Sequence, residues 1–226
     1  MKTRGHIFRR PKVPGWMVLT GVMPSLGMGS PLFMERMLEL VDLSWPPVCL
    51  ALEAGLSEEF GTVLDDLETL LGVDVTVLDL SDMSPDEVVE AGRQSGLIVL
   101  AGGESSDWYN HFIADPIREH PETFIQQGRM FIAVGSAAGA LGVWMHSSVE
   151  GDLFPGLGWL VGGIVLPGET APMEIPSVRE TLQAEEHSYA IGLPAGAILA
   201  LGPDEEVEVW GNVKPVISLG KGWGTA

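Results

Sequence analysis

The chain has 226 residues, 46% of them apolar, and its 31 acidic against 12 basic side chains leave a formal net charge of −19. That length can bury one substantial core. No apolar run is long enough to cross a bilayer, and the negative charge repels phosphate backbones, which argues against nucleic acid as a partner.

Five of the basic residues, Lys2, Arg4, Arg9, Arg10 and Lys12, precede Val13. We therefore expect a basic N-terminal arm over residues 1–14 and a single α/β domain over 15–226. The arm docks on its own acidic body, on a neighbouring subunit, or stays solvated. Met1 to Lys12 contain no apolar segment of the signal-peptide kind, so a cytoplasmic, membrane-free protein is the expectation. The only cysteine, Cys49, lies in an apolar run and reads as a buried structural thiol without a disulfide partner.

In chain order, Trp16–Thr20 reads as a short strand ending at Gly21. Met34, Met37, Leu38 and Val41 then recur at helical spacing. Val48–Leu52 is a second strand. Phe60, Val63, Leu64, Leu67, Leu70 and Leu71 share one face of a helix that Ser57 precedes, with Glu58 and Glu59 in its first turn. Val73–Leu78 predicts a strand, Ser84-Pro85-Asp86-Glu87 a helix start with proline at its first position, and Gly96–Leu100 another strand. Fully apolar strands alternating with helices imply a mostly parallel central sheet covered on both faces, a three-layer sandwich. Ligands of such sheets gather at the carboxyl ends of the strands. Later in the chain, Gly162–Leu166 predicts a strand and Ser177–Glu186 a polar helix. Ala195–Leu201 with Glu206–Trp210 predicts an antiparallel hairpin, and Lys214–Leu219 an edge strand.

Two loops fall at the carboxyl ends of the parallel strands. One is Ala101-Gly102-Gly103-Glu104-Ser105. The other follows the apolar run Phe131–Val134 as Gly135-Ser136-Ala137-Ala138-Gly139-Ala140, a strand driven through small residues into a helix. Such a nucleophile elbow lifts one side chain above the sheet and needs small neighbours, because strand and helix backbones pass close together. Spacing assigns the lifted position to Ala137, whose methyl group is no nucleophile.

Four landmarks in order, namely Leu19-Thr20-Gly21, Leu100-Ala101-Gly102-Gly103, the elbow, and Ala190-Ile191-Gly192 followed by a hairpin ending at Gly211, resemble the cyanophycinase and dipeptidase E family of serine peptidases. The fold of that family is similar to the class I glutamine amidotransferase domain. The resemblance runs over most of residues 15–218. It implies an elbow of the form Gly-x-Ser-Ala-Gly-Ala, with the nucleophile at the position of Ala137, and an oxyanion hole built from Gly102, Gly103 and the N–H of Ala138. It also implies a catalytic histidine in an Asp-x-His strand end after a Gly-Leu-Gly stretch. Here Gly156-Leu157-Gly158 is followed by Ile164-Val165-Leu166-Pro167-Gly168-Glu169, so that histidine is missing as well.

Ser136 and His146 are the available substitutes. Ser136 is expected to face away from the elbow's outward direction, and His146 to lie about two helical turns beyond it. His111 and His120, with Asp107, Asp115, Glu119 and Glu122, offer metal-ligand residue types but no compact ligand motif, and we read them as a solvated face. No cofactor is expected, because the Gly102-Gly103 pair lacks both dinucleotide and P-loop spacing.

The favoured reading is a catalytically degenerate peptidase-like protein with a cleft for a small peptide or carboxylate ligand, lined by Gly102, Gly103, Glu104, Ser105, Ser136, Ala137 and Ala138. Two alternatives stay open. One is an active serine peptidase, with its nucleophile replaced by Ala137 or shifted to Ser136; the other is an assembly or regulatory protein, for which a homodimer is the simplest form.

Overall fold

The computed structural model describes residues 7–10, 13–21, 30–52, 58–113, 118, 121–123, 125 and 129–223. Five strands form its parallel part, four of them apolar runs and the last, β3, a half-exposed edge: β1 (Trp16–Thr20), β2 (Pro47–Leu52), β3 (Thr76–Asp79), β4 (Leu97–Gly102) and β5 (Met130–Val134). They lie in the order β1, β5, β4, β2, β3. The anticipated hairpin, β10 (Ile198–Leu201) and β11 (Val207–Val209), extends the sheet antiparallel beyond β1. The fold is therefore α/β with a mostly parallel central sheet.

Side chains alternate along each strand and so sort into two layers. Val18, Cys49, Val99 and Ile132 face α1 (Pro31–Leu40) and α2 (Glu58–Leu71), which contribute Phe33, Met37, Leu67 and Leu71. The buried stripe of α1 is thus Phe33 and Met37, whereas Leu38, expected on that face, is 58% exposed. Pro31 opens the helix, and counting by four from Phe33 selects Met37 and Val41. Ser57 and the side chains of Phe60 and Val63 lie outside the described residues.

On the other face Leu19, Leu50, Leu100 and Ala133 meet α3 (Pro85–Arg93), α4 (Ser105–Ile113) and α5 (Ser136–Ala140) through Val88, Trp108, Phe112, Ala137, Ala138 and Ala140. Ser84 caps α3 as anticipated: its backbone N–H donates to the Glu87 carboxylate at 2.8 Å, closing a capping box ahead of Pro85.

A second sheet packs against this same layer. It consists of β6 (Gly142–His146), β7 (Leu153–Pro155), β8 (Leu160–Pro167), β9 (Tyr189–Leu193) and β12 (Val216–Leu219), in the order β12-β9-β8-β6-β7. Its Leu160, Val165, Tyr189 and Ile191 belong to the same cluster as Ala137. Its opposite face, Ile164, Leu166 and Ala190, is covered by Val178 and Leu182 of α6 (Pro176–Ala184). The expected strand at 162–166 and helix at 177–186 are therefore present, but in a separate sheet layer that the linear pattern does not reveal.

Of the three arrangements open to the arm, the described part docks on its own chain. Val161 donates its N–H to the Arg9 carbonyl at 2.7 Å, and Phe8 meets Tyr189 edge-on with ring centroids 5.5 Å apart. The Arg9 guanidinium lies 5.7 Å from the centroid of Trp223, a cation–π distance. Arg10 donates to the Gly202 carbonyl, and its burial lowers the guanidinium pKa.

Two glycines illustrate what the packing tolerates. A β-carbon on Gly21, at the carboxyl end of β1, would sit 2.3 Å from the Leu193 carbonyl oxygen and 2.4 Å from that of Pro194. One on Gly61, inside α2, would meet nothing within 4 Å among the described residues. Gly21→Ala should lower stability by about 3 kcal/mol or more, because backbone atoms must move. Gly61→Ala should raise it by about 0.5–1 kcal/mol through helix propensity. Denaturant unfolding of the two variants checks both signs.

Candidate functional site

β5 is held between β1 and β4, with Val134 paired to Thr20 and Leu100 to Ala133. The pairing ends there, and the chain turns within one residue. Gly135 donates its N–H to the Thr20 carbonyl at 3.2 Å, and its own carbonyl accepts the N–H of Gly139 at 3.1 Å as the first helical bond of α5. Its backbone angles, φ 54° and ψ −120°, lie in a region that glycine enters freely and other residues enter at a cost of roughly 1–3 kcal/mol.

The bend therefore falls on Gly135, and the expected placement of Ala137 at its crown is corrected. Ala137 lies inside α5 with 0% exposure, its methyl group in the apolar layer beside Val165 and Ile191. β5 ends at Val134, so the chain turns at Gly135, two residues before Ala137. The residue after the bend, whose N–H is the donor in an elbow, is Ser136 rather than Ala138. Ala138 is also fully buried.

The loop after β4 lies against the bend. Gly102 and Gly103 have φ of 84° and 59°, and added β-carbons would strike Leu52, at its carbonyl oxygen (2.6 Å) and its own Cβ (2.8 Å) respectively. Glycine is required at both positions for conformation and for space. The Ser136 hydroxyl is 2.6 Å from the Gly103 carbonyl oxygen and 3.1 Å from that of Gly102, while Ser105 Oγ donates to the Ser136 carbonyl at 2.8 Å. Trp108 Nε1 donates to Gly102 at 2.8 Å, and the Glu104 N–H donates to the Asp107 carboxylate at 2.8 Å. Gly102, Gly103, Glu104, Ser105 and Ser136 thus come together in one hydrogen-bonded unit, and Ala137 and Ala138 lie beneath it.

Among the described residues, a β-carbon built on Gly135 meets nothing within 4 Å. On the neighbouring side the carboxyl end of β8 closes on α5, where a β-carbon at Gly139 would sit 2.7 Å from Ser105 Oγ and 3.5 Å from the Pro167 ring.

His146 is not on a continuation of the elbow helix. α5 ends at Ala140, and His146 terminates β6 opposite Leu153. Trp144, two residues earlier, and Leu153 both pack into the Ile164–Leu166 cluster under α6. Alternation puts His146 on that outer face, while Ala137 belongs to the inner one. Among the metal-type residues, His111 and Glu122 are exposed and the Asp107 carboxylate is engaged by Glu104; Asp115, Glu119 and His120 lie outside the described residues. Among the described residues no group of three or more His, Cys, Asp or Glu side chains is placed to hold a metal ion, and no helix is long and apolar enough to cross a membrane.

A parallel-centred sheet, a Gly-Gly loop after β4 and a strained strand-to-helix bend after β5 define a peptidase E-like α/β fold. A peptidase from an acI-B1 Actinobacterium superposes with a TM-score of 0.58 at 16% identity, covering 94% of this chain and 97% of its own. A protein of Listeria monocytogenes EGD-e assigned to peptidase E gives 0.59 at 16% identity, covering 88% and 99%. No family model and no curated protein matches the sequence.

The openness at Gly135 is directly measurable by thiol labelling. Cys49 is buried and its pKa is pushed up to about 12, so the parent chain should resist alkylation while folded. Gly135→Cys should label with one equivalent before unfolding, and Ala137→Cys should remain as protected as Cys49. Mass spectrometry of the native proteins counts the adducts.

Proposed function

We propose that this chain is a catalytically degenerate relative of the cyanophycinase and dipeptidase E peptidases, one that binds a short peptide or its carboxylate at the elbow without cleaving it. The carrying observation is Gly135: the residue at the bend has no side chain, and among the described residues nothing lies within 4 Å of a β-carbon built there. A nucleophilic hydroxyl or thiol is what covalent catalysis needs at that point, and hydrogen supplies neither.

Three further features support the reading. The Ser136 hydroxyl is engaged by the Gly102 and Gly103 carbonyls, the wrong partners for a group that must give its proton to a base. His146 faces the opposite side of the second sheet. The strand end after Gly156-Leu157-Gly158, where the resemblance places a histidine, presents Pro167 to the elbow helix. Binding would use the open space over Gly135 together with the flanking Gly102–Ser105 loop, at the strand ends where ligands of parallel sheets collect.

An active peptidase whose nucleophile was replaced at 137 is disfavoured by burial. A hydroxyl restored there would enter the apolar layer, so Ala137→Ser should cost about 1–3 kcal/mol and leave peptide hydrolysis absent. The decisive experiment titrates a panel of short peptides by calorimetry and follows the same mixtures by chromatography. The parent chain and Gly135→Ser should bind without turnover, and Gly135→Leu, which fills the open space, should weaken binding by at least about tenfold. Cleavage by the parent chain, or by Gly135→Ser, would refute degeneracy; binding by no peptide of the panel would refute the retained cleft.

A further inference from the structure

Among the described residues β11 ends the central sheet, with β10 on one side only. Leu201, Ala200 and Leu199 stand opposite Val207, Glu208 and Val209. The ladder is bracketed by Gly202 N–H to the Glu206 carbonyl at 2.9 Å and Trp210 N–H to the Ile198 carbonyl at 3.0 Å. Inward-pointing backbone groups recur every second residue of an antiparallel strand. Those of Glu208 therefore also face β10, and the N–H and C=O of Val207 and Val209 face outward.

The two outward-bonding residues are also apolar and exposed, Val207 at 48% and Val209 at 38%. Edge strands are normally blunted by lysine, proline, an inward charge or a bulge. β11 has no lysine, proline or bulge; it is three residues long, and its one inward charge is Glu208. Its single charge is already balanced: the Glu208 carboxylate takes two bonds from Arg36, each 3.0 Å, and a third from Trp210 Nε1 at 2.6 Å.

We infer that β11 is the docking edge for a second copy of this chain, the two strands pairing antiparallel about a two-fold axis at Glu208. The strand reads Val-Glu-Val in either direction, so the axis sets Val207 opposite the partner's Val209 and Val209 opposite the partner's Val207. Each of these two pairs is of the hydrogen-bonded kind, because both members point their backbone groups outward, and each exchanges two N–H···O bonds. The four valines meet on the face that carries Leu199 and Leu201.

On the other face Glu208 meets the partner's Glu208. Each arrives with its own Arg36, itself only partly exposed, so the axis gathers alternating carboxylates and guanidiniums instead of two bare like charges. A second copy supplies this complement by symmetry. The charge of −19 on each copy opposes association over longer range, so the dimer should tighten as salt is added.

Sedimentation equilibrium of the full chain over a micromolar to millimolar series should show a doubling of mass, at lower concentration in higher salt. Val209→Lys should weaken association at least about tenfold with an unchanged unfolding midpoint, since the residue is exposed in the single copy. Glu208→Cys should give a covalent dimer on oxidation: the two positions face each other at a Cα separation of about 4.5 Å, within disulfide range, and buried Cys49 does not compete. A monomer across the whole series, a dimer indifferent to Val209→Lys, or a Glu208→Cys dimer that fails to cross-link would each overturn the inference.

Discussion

The residue on which the candidate site depends is Gly135. β5 is held on both sides by parallel neighbours, and the chain must leave its carboxyl end and fold back onto one face of the sheet within a single residue. Angles of φ 54° and ψ −120° achieve this, and glycine reaches them without steric cost. Everything nearby follows from that turn. It places Ser136 against the Gly102 and Gly103 carbonyls, brings Gly139 under Ser105 and Pro167, and buries the alanines of α5 in the layer shared by the two sheets.

That same residue separates architecture from chemistry. An elbow positions a reactive group on a sharply bent backbone, and here the bend is present while the side chain is a hydrogen atom. The second sheet adds a sorting effect. Because side chains alternate, Val165 and Ile191 reach toward α5 while Trp144, Ile164 and His146 are carried to the α6 side. A histidine only a few residues past the elbow in sequence is therefore kept from it by strand geometry.

Much of the fold was legible in the amino-acid pattern. The apolar runs of β1, β2, β4 and β5, the helix start at Ser84-Pro85 and the 198–209 hairpin all carry local signals, since burial on both faces, helix-start chemistry and turn composition are properties of a few adjacent residues. The Gly102-Gly103 pair was legible for the same reason. Less visible was the buried stripe of α1, where Leu38 competes with Phe33 on periodicity alone, and least visible was the second sheet, whose strands pair with partners distant in the chain.

The composition and order of the segments thus determined an α/β protein with a Gly-Gly loop at its strand ends and an alanine at position 137. Only the tertiary structure decided that the bend falls on Gly135 and not Ala137, that Ser136 is tied to carbonyls, and that His146 lies on the α6 side of the second sheet. The physical reason is register. A shift of two residues leaves the pattern of small side chains almost unchanged, whereas the pairing of β5 with β1 and β4 ends the strand at Val134 and so selects the residue that must turn.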